Sequence, residues 1–333
     1  IETFTLLTIN HQSLIATKAN RIVRAAQGRT VLEFGSRRAQ GTDGAISGAR
    51  AAYIGGCAGT ACTISDQLYG VPAGGTMAHS WVQMFDSQYE AFKTYCQIYP
   101  HNATLLVDTY NVLKSGVPDA IRAFDEVLKP LGIRKCGIRL DSGDMAYLTQ
   151  EARRKLDAAG WTECQISASN SLDEYIIQDL LLQGAKIDVF GVGERMITAR
   201  SEPVFGGVYK LAAVEDGDGK IIPKIKVSEN LDKITIPHFK KTYRIFDNAT
   251  GKAEADYITG KRKTYTNFTA KPLQVPVFQG GELVYQLPAL PEIQAYCRAQ
   301  VDTLWDTVKR FENPHTYYVD LSQKLFDIKQ DLL

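Results

Sequence analysis

The stretch Cys136-Gly137-Ile138-Arg139-Leu140-Asp141-Ser142-Gly143-Asp144 decides how this chain folds. Residues 136–140 read as a short, mostly apolar strand that stops abruptly at Asp141 and Ser142, and Asp144 stands where it would cap a following helix. Similar short runs occur at 30–34, 104–107, 164–167 and 187–190. The later ones recur about every 30 residues with helical patterns between them, the spacing of parallel βαβ units and, when sustained, of a barrel. The helix expected over 112–128 shows the intervening pattern: Val112, Ala120, Ile121, Phe124, Val127 and Leu128 share one face, while Lys114, Asp119, Arg122 and Lys129 fall mostly elsewhere. The predicted fold class is α/β, an irregular α/β barrel. Its strand ends would share one rim, where active sites are built. Asp108, Asp141 with Ser142, Ser167 with Asn170, and Gly191 with Gly193 each follow a predicted strand.

Beyond Pro203 the pattern changes to short strands and turns, with hairpin signals at Asp216-Gly217-Asp218-Gly219 and Asn248-Ala249-Thr250-Gly251. Residues 292–311 are helical again, ended by Asn313-Pro314-His315. The expected organisation is an opening helix over 1–29, a barrel core over 30–203, a smaller, mainly β region over 204–290 and a helical region over 291–333. Residues 1–21 look like an amphipathic helix already under way, so a further segment is expected upstream.

With 333 residues, 44% of them apolar, the chain can bury a large core. A net charge of +1 supplies no general field for nucleic acid or acidic membranes, so any anion must be held by local basic groups. Six cysteines without a CxxC pair suit free thiols in a reducing cytoplasm better than disulfides or zinc. No apolar run approaches the roughly 20 residues that a membrane span needs.

Two segments carry chemistry. In Gly75-Thr76-Met77-Ala78-His79-Ser80, a histidine lies behind a glycine-threonine turn and before a hydroxyl, a setting none of the other four histidines has. Such a histidine can act as a nucleophile towards phosphate. In Phe34-Gly35-Ser36-Arg37-Arg38, adjacent arginines leave a strand end and can fork onto carboxylate or phosphate oxygens. His11, His101, His238 and His315 suit packing or surface roles.

These two segments resemble the nicotinate phosphoribosyltransferase family. The resemblance continues, in family order, through Val107-Asp108-Thr109-Tyr110-Asn111, Ile138-Arg139-Leu140-Asp141-Ser142-Gly143-Asp144, Gly191-Val192-Gly193, Gly206-Gly207-Val208-Tyr209-Lys210-Leu211, Lys226-Val227-Ser228-Glu229-Asn230 and Asn313-Pro314-His315. It implies an irregular barrel of the type II phosphoribosyltransferase kind. It also implies that nicotinate and 5-phosphoribosyl 1-diphosphate combine to nicotinate mononucleotide and diphosphate with ATP hydrolysed alongside, a ligase-class reaction that opens NAD salvage. By resemblance, His79 carries a transient phosphoryl group from ATP and Ser80 assists it. Arg37 meets the nicotinate carboxylate, and Arg38 lies nearer the phosphate or diphosphate. Asp141 faces the ribose or a magnesium ion held mainly by diphosphate. Thr76, Ser167, Asn170, Gly191 and Gly193 bind substrate, Glu194 points away from the phosphate, and Arg195 assists. The family also implies a homodimer and an upstream segment that gives an aromatic residue to the base pocket. The alternatives are a nicotinamide- or quinolinate-type phosphoribosyltransferase and a noncatalytic phosphometabolite-binding fragment.

Overall fold

The computed structural model describes residues 1–230, 234–260 and 266–333; positions 231–233 and 261–265 of the expected β region lie outside them. Two compact units emerge, one of Leu7–Phe205 and one of Ile1–Leu6 with Gly206–Leu333.

The first unit is built on six parallel strands: β1 (Thr30–Glu33), β2 (Gly59–Thr60), β3 (Thr104–Leu106), β4 (Gly137–Leu140), β5 (Gln165–Ser169) and β6 (Val189–Val192). Their order is β2-β1-β6-β5-β4-β3. Apart from β2 and β3, which form the two edges, consecutive strands are neighbours in space, and β6 returns to pair with β1 in the register Thr30 with Val189 to Glu33 with Val192. That return brings the last strand back beside the first, and the parallel sheet with its crossover helices bears out the α/β expectation. Val31, Leu105, Leu106, Ile138, Leu140, Ile166, Ala168, Phe190 and Val192 are all buried, as strands covered on both faces require.

The helices are α1 (Glu2–Ala25), α2 (Gly41–Ile54), α3 (Thr63–Tyr69), α4 (His79–Gln83), α5 (Gln88–Ile98), α6 (Val117–Ala123), α7 (Met145–Ala158), α8 (Glu174–Leu182) and α9 (Glu194–Ile197). Three details differ from the sequence reading. β2 has only two residues, too few to register as a period, and a single parallel bridge from Thr60 to Ala73 extends it. The helix over 112–128 is not uniform: α6 is flanked by π turns at Val112–Gly116 and Phe124–Leu128. Pro118 lacks an N–H, and Gly116 donates to Asn111 five residues back at 2.8 Å. Gly116 also packs against the residue that follows β3, since a Cβ there would lie 1.9 Å from the Val107 carbonyl oxygen. Third, β5 and β6 each end two residues later than expected, which moves two proposed site residues into the strands.

The second unit holds two hairpins at the expected turns. β7 (Ala213–Glu215) pairs with β8 (Ile221–Pro223), and β9 (Lys241–Asp247) with β10 (Ala253–Thr259), both antiparallel. Asp216 and Asp247 fasten the turns by accepting from the backbone N–H groups of Asp218 and Lys220, and of Ala249 and Thr250. With β11 (Phe268–Pro272), β12 (Phe278–Gln279), β13 (Glu282–Leu283) and β14 (Tyr318–Leu321), the larger sheet runs β11-β9-β10-β14, and β12 pairs with β13 separately. Asp256 accepts two bonds from Arg244, at 2.9 and 3.1 Å, and one from Tyr317. The helix expected over 292–311 is α10 (Leu290–Asp302), and a further helix, α11 (Gln323–Asp331), follows β14.

Candidate active site

A cavity of about 480 Å³ opens at the carboxyl ends of the first unit's strands. Its walls come from five places: the turn after β1 (Phe34, Arg37, Arg38), Ala61 after β2, the loop into α4 (Gly75 to His79), the ends of β4 and β5 (Arg139, Asp141, Ser169 to Ser171), and the end of β6 with α9 (Gly191, Gly193 to Arg195).

His79 is the first residue of α4. Its Nε2 lies 3.1 Å from Oδ1 of Asp108, which is almost fully buried. The other oxygen of Asp108 accepts from the backbone N–H of Asp141 at 2.9 Å and from the Ser142 hydroxyl at 2.6 Å. One carboxylate thus couples the histidine to the strand end bearing Asp141. Asp141 in turn accepts from the Ser169 hydroxyl and lies 3.7 Å from Arg139 Nη2.

Arg139 is the residue that motif reading passed over. It projects from an otherwise buried strand, donates through Nε to Ser169 at 3.1 Å, and bonds the Thr76 hydroxyl through Nη1. Burial lowers its pKa, Asp141 and Asp108 oppose that, and Arg37 pushes it down again. Arg37 is therefore close enough to be felt, and an anion between the two guanidinium groups would relieve their repulsion. The available signal was an arginine flanked by Ile138 and Leu140, because a charge inside a buried strand needs a reason to be there.

Two residues expected at the site are placed elsewhere. Ser167 lies within β5, one step deeper on the face that carries Ser169, and Ser169 takes the lining position. Ser80 is exposed and outside the cavity wall. Gly191 and Gly193 do line the wall, and both are also packing requirements. A Cβ on Gly191 would meet the Phe34 ring at 2.6 Å, and one on Gly193 the Phe34 carbonyl oxygen at 3.1 Å. Asn170 and Ser171 take left-handed backbone, with φ of 83° and 53°, in the turn that carries them to the cavity. Asp144 caps α7 by accepting from Tyr147 N–H at 3.1 Å.

Glu194, expected to point away from a bound phosphate, is among the residues lining the cavity, and its carboxylate lies 3.8 Å from both Arg38 and Arg200. Arg195 lines it too, with its charge engaged by Asp173. Beneath the arginine turn, fully buried Glu33 accepts from the Gly35 N–H and the Thr60 hydroxyl.

A model of the nicotinate phosphoribosyltransferase C-terminal domain family matches residues 259–329. The nicotinate phosphoribosyltransferase of Bacillus subtilis is 43% identical to this chain, over 99% of it and 70% of the relative. The chain belongs to the nicotinate phosphoribosyltransferase family. A Mycobacterium tuberculosis relative is 38% identical, over 98% of this chain and 67% of its own length. Human nicotinic acid phosphoribosyltransferase superposes with a TM-score of 0.81 at 26% identity, covering 99% of this chain and 76% of that one. Nicotinate-nucleotide pyrophosphorylase from Pyrococcus furiosus gives 0.72 at 27% identity, covering 91% and 73%. The family's barrel and accessory sheets are the architecture described above.

Proposed function

We propose that this cavity joins nicotinate to 5-phosphoribosyl 1-diphosphate and couples that reaction to ATP through His79. The observation that carries the reading is Asp108, one buried carboxylate shared by His79 and the Asp141 strand end. By accepting from Nε2–H it selects the tautomer with a lone pair on Nδ1, the nitrogen then free to attack the γ-phosphorus of ATP as the bond to ADP breaks; the phosphoryl group later passes to water, restoring the ring. It would also steady the cation that forms when the ring is phosphorylated.

In the transfer itself, the bond from the ribosyl anomeric carbon to diphosphate breaks, and a bond to the nicotinate ring nitrogen forms. The electron pair leaves with diphosphate and no proton has to move. Positive charge grows on the ribosyl group, and of the two carboxylates lining the cavity, Asp141 and Glu194, we assign Asp141 to stabilise it. Arg37, which has no ion pair among the described residues, is the candidate for the carboxylate of nicotinate, and Thr76, Asn170, Gly191 and Gly193 are the candidate phosphate contacts.

Among the described residues no group of three His, Cys, Asp or Glu side chains could form a metal cage. Magnesium would accordingly arrive bound to diphosphate, with Asp141 its available protein ligand, and would neutralise the leaving group's charge. The six free cysteines favour a reducing cytoplasm, and a homodimer is the assembly we expect. No helix among the described residues is long and apolar enough to cross a membrane.

The test is nicotinate mononucleotide formation with and without ATP, in the wild type and in His79→Ala. ATP stimulation present in the first and absent in the second supports the coupling; equal, ATP-independent rates refute the role of His79. Parallel assays with nicotinamide and quinolinate decide the base, and turnover of either in preference to nicotinate refutes the assignment of Arg37.

A further inference from the structure

Each cavity arginine is committed differently. Arg139 is held by Thr76, Ser169 and Asp141, Arg195 by Asp173, and Arg37 by no ion pair among the described residues. Arg38 faces Glu194, and both side chains remain more than half exposed. The separation of 3.8 Å is too long for a direct hydrogen bond, as is the equal distance from Glu194 to Arg200. Glu194 is therefore a loosely held carboxylate in a wall otherwise rich in guanidinium groups. It stands where an incoming polyanion would meet Arg38.

We propose that Glu194 is a built-in competitor for the diphosphate-bearing substrate, which must displace its carboxylate from Arg38 and tolerate its negative charge. This rests on reading the cavity as a phosphoribosyl site and goes further, because it assigns Glu194 control over affinity for polyanions. Exposed pairs of this kind hold weakly, so the carboxylate can yield without refolding the turn. The same charge limits how tightly product diphosphate is retained. Nicotinate, with one negative charge and the uncommitted Arg37 to meet it, should feel Glu194 much less.

The test is calorimetric titration of the full chain with inorganic diphosphate, at low and high salt, alongside KM values for phosphoribosyl diphosphate and nicotinate. Glu194→Gln should tighten diphosphate about three- to tenfold at low salt, as expected for removing one partly screened charge a few ångströms away. It should lower KM for phosphoribosyl diphosphate by a similar factor and leave that for nicotinate within about twofold. The gain should shrink at high salt, and most of it should vanish when Arg38→Ala is added, since that removes the group Glu194 competes for. Unchanged or weaker diphosphate binding in Glu194→Gln, with normal binding in the wild type, overturns the inference and leaves the cavity reading intact. Wild-type protein that binds no diphosphate overturns both.

Discussion

Replacing Glu33 by glutamine tests the frame beneath the arginine turn. Glu33 is fully buried at the end of β1; one oxygen accepts the Gly35 N–H and the other the Thr60 hydroxyl. Thr60 Oγ1 also accepts from Cys62 N–H at 2.9 Å, so its own hydrogen must go to Glu33. In Glu33→Gln the amide oxygen can still accept from Gly35, but the amide nitrogen must face Thr60, donor to donor. The threonine hydrogen loses its acceptor in a site without water access, at a cost of about 1–3 kcal/mol. With a urea slope of about 1–3 kcal/mol per molar, the unfolding midpoint should fall by roughly 0.3–3 M. Fluorescence of Trp161, buried in the same unit, reports it.

The pH dependence gives a second handle. Burial raises the Glu33 pKa above its ordinary 4.5, against the opposing hydrogen bonds from Thr60 and Gly35. The folded state therefore binds this proton more tightly than the unfolded chain does. The resulting stabilisation is complete below the ordinary value and is lost as pH rises through the raised one. Glutamine does not titrate, so the stability gap between wild type and variant should narrow as the pH rises above the ordinary value of 4.5 and through the raised one. An unshifted midpoint, or a gap that widens with pH, would refute the reasoning.

Four other outcomes follow from the structure. Gly35→Ala would set a Cβ 2.7 Å from both the Gly193 oxygen and Ile197 Cβ, so thermal unfolding should show a loss of about 1–3 kcal/mol. Asp108→Asn should cut ATP-stimulated turnover at least tenfold because it disturbs the His79 tautomer, whereas Asp144→Ala should cost about 1 kcal/mol of stability as a lost helix cap and spare most activity. A thiol reagent on the native protein should reach Cys297 ahead of the five buried cysteines; burial and the neighbouring Cys136 push Cys96 up to about 12, and Cys57 is raised further by burial and Glu33.

The sequence by itself determined the parallel architecture, because buried strands must be apolar and must alternate with helices long enough to cross back. It also marked His79, the arginine pair and Asp141, whose polar character at strand ends and in glycine turns had no local structural explanation. Asp144 as a helix cap was equally legible, since capping involves only residues three positions apart. What it could not determine was which rim residues meet. Asp108 and His79 are 29 positions apart and come together only because β3 and the loop into α4 reach the same rim. Ser169 replaced Ser167 because two further residues of β5 pair with β6, and strand length is set by the partner strand. Arg139, Glu33 and Glu194 took their roles largely from residues distant in sequence, such as Thr76, Thr60 and Arg38, because the partners of a charge are chosen by tertiary packing, where burial and long-range contacts decide what each group faces.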